Sequence, residues 1–111
     1  MQIAFKSGTL AKTFNSEKAL KRRYGDKVAK AIMMRLGLLK NATSLSLVPV
    51  TPPERRHQLT GNRKGQYAVD LTQSLRLIFE PNHDPVPGRE DGGIDLERVT
   101  DIRILDVTDY H

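Results

Sequence analysis

The sequence contains no cysteine and no tryptophan, and only three tyrosines and three phenylalanines. Without thiols there is no disulfide framework, no cysteine nucleophile, no thiolate zinc site and no iron–sulfur ligation. So few rings argue against a broad stacking platform for single-stranded nucleic acid. No apolar run approaches the roughly 18 residues that a membrane-spanning helix needs. Residues 1–14 lack the long apolar stretch of a signal peptide. These absences point to a cytoplasmic protein with no membrane partner. What is present is 111 residues, the length of one domain. Hydrophobic residues make up 38% and charged residues 28%, the balance of a folded globular chain.

The charge is lopsided. Lys and Arg total 18 against 13 Asp and Glu, a formal balance of +5. Residues 1–40 hold ten of the basic residues and two of the acidic ones, whereas residues 81–111 hold three and eight. A basic front half suits a polyanionic partner. An acidic back half argues against indiscriminate coating of nucleic acid. The pattern predicts one basic and one acidic surface.

Residues 3–5 read as a short first strand, broken at Lys6-Ser7-Gly8. Asn15 and Ser16 are good helix caps, and Glu17 suits a first turn, so residues 16–24 read as a short helix. Gly25 and Asp26 form a break and a new cap. Val28, Ile32, Leu36 and Leu39 then make one apolar stripe on a helix over 27–40, with Lys27, Lys30 and Arg35 off it. The prolines at 49, 52 and 53 make an extended connector. Beyond it the period becomes alternating. Strands are expected over 67–71 and 75–80, joined by a turn at Thr72-Gln73-Ser74, with a further strand near 56–60. Residues 81–93 are dense in Pro, Gly and Asn and read as a long polar loop. Residues 99–107 read as the last strand. The expected class is α+β: a first strand and a helical hairpin on one face of a mainly antiparallel sheet of four to five strands. The other sheet face is left open.

Several residues have useful chemistry. Asp109, Tyr110 and His111 put an acid, a phenol and an imidazole at one end of the sequence, groups able to accept, donate or relay protons. The bland alternative is a frayed tail. His57 lies beside Arg55 and Arg56, and a surface histidine in a basic loop is its bland reading. Gly61, Arg63, Lys64 and Gly65 form a basic turn that could clamp a phosphate or simply be solvated. It lacks the spacing of a P-loop. Arg76 is the most informative residue. It sits mid-strand among apolar neighbours, where an arginine is either paired or functional. Asp70 on the adjoining strand is the obvious cross-strand partner. Placed on the open face, Arg76 could instead stabilise a pentacoordinate phosphate. His57, His83 and His111 have no metal-ligand spacing, so no metal site and no cofactor are expected. His83 reads as solvated.

The segment from His57 to Gly65 resembles the H-x-L-x-G-x-R-x-G signature of HigB toxins, members of the RelE/ParE superfamily. The strand Leu75-Arg76-Leu77-Ile78-Phe79 resembles their W-R-I-x-F strand, and Asp109-Tyr110-His111 resembles their D-Y-H end. In that family an aromatic residue usually precedes the strand arginine, where this chain has Leu75. The loop at 81–98 is also longer than in short members. The resemblance implies a RelE-like fold, residues 1–111 forming one toxin domain. It implies a metal-free endoribonuclease that cuts mRNA on the ribosome, using the substrate's 2′-hydroxyl as nucleophile. His57 or His111 would be base or acid, Asp109 would orient a histidine, and Tyr110 would stack on a base or position the phosphate. Arg76, with Arg63 and Lys64, would stabilise the phosphorane. Lys18, Lys21, Arg22, Arg23, Lys27 and Lys30 would face ribosomal RNA. The implied partners are the ribosome, mRNA and a helix-turn-helix, HigA-like antitoxin, with operator DNA reached only through the antitoxin complex. Two other roles stay open: a ParE-like gyrase inhibitor, and a non-catalytic subunit that binds the antitoxin for operon repression.

Overall fold

The computed structural model describes residues 1–72 and 74–109. Gln73, Tyr110 and His111 lie outside the described residues. Strand β1 (Gln2–Phe5) is followed by helices α1 (Gly8–Phe14), α2 (Glu17–Tyr24) and α3 (Asp26–Asn41). The remaining strands are β2 (His57–Gln58), β3 (Tyr67–Asp70), β4 (Leu75–Pro81) and β5 (Asp101–Asp109). They form one sheet in the order β1-β5-β4-β3-β2. Only the β1–β5 pair is parallel; the other three pairs are antiparallel. The α+β expectation holds, with five strands and helices on one face.

The helices form for local reasons. Ser16 accepts a hydrogen bond from the Ala19 amide at 3.1 Å and caps α2. Helix α1 has no counterpart in the sequence reading, which treats residues 6–8 as a break. Ser7 is in fact its cap, accepting from the Leu10 amide at 3.1 Å. Helix α3 begins after Gly25 at φ +84°, with no side-chain cap and with Asp26 in its first turn. At its other end the Met1 ammonium donates to the carbonyls of Leu39 at 3.1 Å and Lys40 at 2.7 Å, where positive charge opposes the helix dipole.

The main core lies between the helices and one sheet face. Ile32, Leu36 and Leu39 of α3 and Leu20 of α2 pack with Tyr67, Val69, Leu77, Phe79, Ile102 and Ile104 of the sheet. Tyr67 and Phe79 stack with centroids 6.2 Å apart. A second, smaller cluster of Leu59, Ala68, Ile78 and Leu105 lies apart from this core. Alternation along the strands assigns that cluster to the other, open face.

One irregularity decides what else the open face carries. Between β4 and β5, Ile78 pairs with Asp106 and its neighbour Phe79 pairs with Ile104. Leu105 is therefore an extra residue, a β-bulge. The bulge reverses the pleat, so Val107 reaches the main core while Asp106 and Thr108 join the open face.

The connection from β4 to β5 is more ordered than its composition suggests. Gly88 and Ile94 form an isolated bridge, and the Arg89 amide donates to the Gly93 carbonyl at 2.7 Å. His83 is not a solvated side chain. Its Nε2 accepts from the Thr100 amide at 3.1 Å and the Asp101 amide at 3.2 Å, tying the loop to the start of β5. No helix among the described residues is long and apolar enough to cross a membrane. His83→Ala should lower unfolding free energy by about 1 kcal/mol, because two amides lose their acceptor. Hydrogen exchange should accelerate at Thr100 and Asp101 first, and unchanged protection there would count against this anchoring role.

Candidate functional site

The open face is built by β2, β3, β4 and β5. His57 pairs with Ala68, Asp70 with Arg76, and Arg76 with Thr108, so these side chains share one face. His57 and Arg76 stand two strands and one pleat apart, on the order of 12 Å between Cα atoms by sheet spacing.

The His57 ring has a definite arrangement. Its Nδ1 lies 2.8 Å from the carbonyl oxygen of Arg55. A carbonyl can only accept, so Nδ1 carries the hydrogen and Nε2 of the neutral ring keeps its lone pair. Nε2 is buried and has no hydrogen-bond partner among the described residues. A buried acceptor left unpaired costs about 1–3 kcal/mol.

Arg76 is on the open face, as its mid-strand position predicts, and is half-buried there. Its cross-strand pairing with Asp70 is also real: Nε lies 3.3 Å from Asp70 Oδ1. That contact is an ion pair without hydrogen-bond alignment, since Oδ1 is buried and accepts no aligned bond. Asp70 Oδ2 accepts from Arg55 Nη1 at 3.0 Å. Arg63 also reaches the open face, donating to Gln66 Oε1 at 2.9 Å and lying 3.4 Å from Asp106 Oδ2. Next to it Arg103 donates from Nε and Nη2 to Glu80 Oε2 at 2.9 and 2.6 Å. Lys6, Arg63, Gln66, Glu80, Arg103, Leu105 and Asp106 line a shallow groove of about 400 Å³. Lys64 is exposed and borders a second depression with Gln58, Leu59, Thr60 and Gly61.

The other expected residues fall elsewhere. Asp109 is opposite Leu75, one pleat out of phase with Arg76, and its Oδ1 accepts from the Ser74 hydroxyl. Tyr110 and His111 lie outside the described residues. Lys18, Lys21, Arg22, Arg23, Lys27 and Lys30 are exposed on α2 and α3, in the helical layer rather than on the open face. Lys21 pairs with Glu17 at 3.2 Å, and Arg23 lies over the Tyr24 ring at 5.4 Å from its centroid. The helix basic residues and Arg76 thus lie on opposite sides of the sheet, as the expectation of helices on one face and an open face on the other requires. Among the described residues, no three His, Cys, Asp or Glu side chains gather as metal ligands would.

Two basic residues were not singled out from sequence. Arg35 lies off the α3 stripe yet is only 7% exposed, because its Nε donates to the Asp70 carbonyl at 2.7 Å. Arg56, next to His57, donates from Nε to the Val48 carbonyl at 2.9 Å. Burial lowers the Arg56 pKa from its usual value, an effect partly offset by Tyr67. Burial raises the Tyr67 phenol above its usual value, and Arg56 partly opposes the rise.

No family model matches this chain, and no curated protein matches it. Solved structures do. The chain is similar to the YoeB/ParE toxin from Agrobacterium tumefaciens, with a TM-score of 0.56 at 11% identity and full coverage of both chains. It is similar to the YoeB–YefM complex from Staphylococcus aureus, with a TM-score of 0.55 at 16% identity, covering all of this chain and 97% of that one. A heterotetrameric YoeB–YefM toxin–antitoxin complex from the same organism matches with a TM-score of 0.53 at 18% identity, over 100% of this chain and 97% of that one. The chain has the fold of these toxins.

The buried phenol behind the site gives a pH signature. Tyr67 ionises more easily unfolded than folded. Its stabilising contribution is thus complete below the ordinary phenol value of about 10 and is lost as pH rises through the folded value. Tyr67→Phe should weaken the fall in stability between about pH 9 and pH 11, compared with wild type by urea midpoints. Parallel losses in the two proteins would show that the buried phenol does not drive the alkaline instability.

Proposed function

We propose that this chain is the toxin of a type II toxin–antitoxin pair and a metal-independent endoribonuclease that cleaves ribosome-bound mRNA. The observation that carries this reading is the open-face pairing of an Nδ1-anchored His57 with a strand-held Arg76. The fold shared with YoeB/ParE toxins supports it, as does the HigB-like signature from His57 to Gly65.

In this reaction His57 Nε2 takes the proton of a 2′-hydroxyl as that oxygen attacks the adjacent phosphorus. Arg76 neutralises the charge that builds on the phosphorane oxygens, where one oriented donor is worth about 10²–10³ in rate. The bond to the 5′ oxygen breaks, leaving a 2′,3′-cyclic phosphate and a 5′-hydroxyl. His111 is assigned as the acid that protonates the departing oxygen, Asp109 as the group that orients it, and Tyr110 as a stacking or phosphate-positioning ring. Arg63 and Lys64 hold the flanking backbone. Lys18, Lys21, Arg22, Arg23, Lys27 and Lys30 hold ribosomal RNA on the opposite side. The partner that silences the toxin is a helix-turn-helix antitoxin of HigA type. The neighbouring YoeB–YefM complexes support antitoxin binding in general rather than that type.

A second reading, gyrase inhibition, draws on the ParE half of the Agrobacterium neighbour's name. Induced expression without an antitoxin separates the two. Growth arrest with mRNA loss supports the ribonuclease, and arrest with DNA damage supports gyrase. Absence of arrest would leave the non-catalytic binding role.

Folded Arg76→Ala and His57→Ala proteins should each lose about 10²-fold or more in cleavage of a translated message, read by primer extension. Removal of Tyr110 and His111 should abolish cleavage while antitoxin binding persists. Cleavage at wild-type rate by the truncated protein would remove those residues from the mechanism. Wild-type rates in both point variants would refute the proposed site.

A further inference from the structure

The described contacts join the two open-face candidates through residues that have so far had no role. Asp70 lies directly across β3–β4 from Arg76, with Oδ1 3.3 Å from Arg76 Nε. Its other oxygen accepts from Arg55 Nη1 at 3.0 Å. Arg55 in turn accepts at its backbone carbonyl from His57 Nδ1 at 2.8 Å. Two side chains and one backbone group thus connect the Arg76 guanidinium to the His57 imidazole.

Arg55 is built unusually for this task. It is the one non-glycine residue with positive φ among the described residues, at +47°. Such a conformation is unfavourable for an ordinary side chain and persists only where surrounding contacts enforce it. Here the contacts are its amide, which donates to the Thr51 carbonyl at 2.9 Å, its carbonyl on His57 and its guanidinium on Asp70. Asp70 is pinned as firmly. Its amide donates to the Glu54 carbonyl at 2.7 Å and its carbonyl accepts from buried Arg35 at 2.7 Å. The Asp70 backbone is therefore fixed from the helical layer and from the connector, and its carboxylate is held by Arg55 from the connector. Two arginines, Arg55 and Arg76, share that carboxylate.

We propose that Asp70 and Arg55 are positioning residues that hold Arg76 and His57 in one frame for phosphoryl chemistry on RNA. The inference rests on the ribonuclease reading for its reaction but not for its geometry. Asp70 fixes the Arg76 guanidinium by charge at Nε. Arg55 anchors Asp70 through its side chain and sets the His57 tautomer through its backbone.

Three variants and two measurements test the frame. Asp70→Asn keeps the shape and removes the charge. Arg55→Gly tolerates the positive φ and removes the guanidinium. Arg55→Lys restores a cation. Cleavage of ribosome-bound mRNA by Asp70→Asn and Arg55→Gly should show kcat lowered about ten- to a hundred-fold with KM within about three-fold, the mark of misplaced groups rather than lost binding. Arg55→Lys should recover most of the loss seen in Arg55→Gly. In the ¹⁵N–¹H spectrum, the Arg76 Nε–H resonance should be distinct in wild type. In Asp70→Asn it should shift away from its wild-type position. A resonance unmoved by Asp70→Asn, or a KM rise with kcat intact, would overturn the proposal. Failure of folded wild type to cleave ribosome-bound mRNA would overturn only the ribonuclease reading, because the arginine resonance reports the frame without any reaction.

Discussion

The side-chain parity of β5 is the constraint on which the rest of the molecule depends. This strand pairs with β1 on one side and β4 on the other, so its pleat decides which residues face the helices across the middle of the sheet. Ile102 and Ile104 are fully buried against the helical layer. Strict alternation from them would turn Asp106 and Thr108 into the core and Val107 outward. Burying a carboxylate among Leu77, Phe79 and Ile104 costs far more than one irregular ladder rung. The extra residue at Leu105 resolves the conflict. It delivers Val107 to the core and gives the open face Asp106, the partner of Arg63, and Thr108, the neighbour of Arg76.

The open face is then an array of cross-strand ion pairs with graded tightness. At the groove end Arg103 grips Glu80 with two donors, the closer at 2.6 Å. Elsewhere on the face the pairs are 3.4 Å for Arg63–Asp106, 3.3 Å for Arg76–Asp70 and 3.0 Å for Arg55–Asp70. A polyanion arriving on this face competes with resident carboxylates for the same guanidinium groups. The longest pair, Arg63–Asp106, exchanges partners at the lowest cost, since the least directed bonding is lost. Discrimination on such a face comes from geometry more than from net attraction. Ion-pair exchange of this kind rewards a phosphate that arrives at the right place and offers little to one that merely passes.

Much of this was legible in the residues. The helices over Glu17–Tyr24 and Asp26–Asn41 follow from caps and from the 28-32-36-39 stripe. The β3–β4 pair follows from alternation, and its register made the Asp70–Arg76 pairing foreseeable. What stayed hidden depends on contacts distant in sequence or on small departures from period. Arg35 is off the apolar stripe, and only the fold reveals that a backbone carbonyl 35 positions away takes its Nε. His83 looked solvated because its two donors are amides across the loop. Helix α1 is seven residues long with Gly8 in its first turn, so propensity spoke against it while the Ser7 cap spoke for it. The bulge left a trace that went unused: the apolar parity of Ile102 and Ile104 breaks before Val107. The helix lysines and the open-face arginines are already separated by the expectation of helices on one face of the sheet and an open face on the other.

That separation bears on how the proposed reaction could be confined to its proper setting. The molecule measures about 44 × 28 × 27 Å, with the basic helices in one layer and the arginine–carboxylate array on the far side of the sheet. A single RNA strand on the open face meets resident carboxylates as well as cations and does not reach the helix lysines. Exposed lysines attract phosphates over about one Debye length, roughly 8 Å at physiological salt, which is less than the thickness of the domain. Free RNA bound by the helices would thus sit away from His57 and Arg76. RNA at His57 and Arg76 would lack the main electrostatic attraction. Only a surrounding that offers phosphates to both layers at once satisfies the two surfaces together, adding their contributions as linked sites do. A cleft walled by structured RNA and threaded by a message provides that geometry. On the ribonuclease reading, the two-sided charge of the chain is itself a device that makes cleavage conditional on the ribosome.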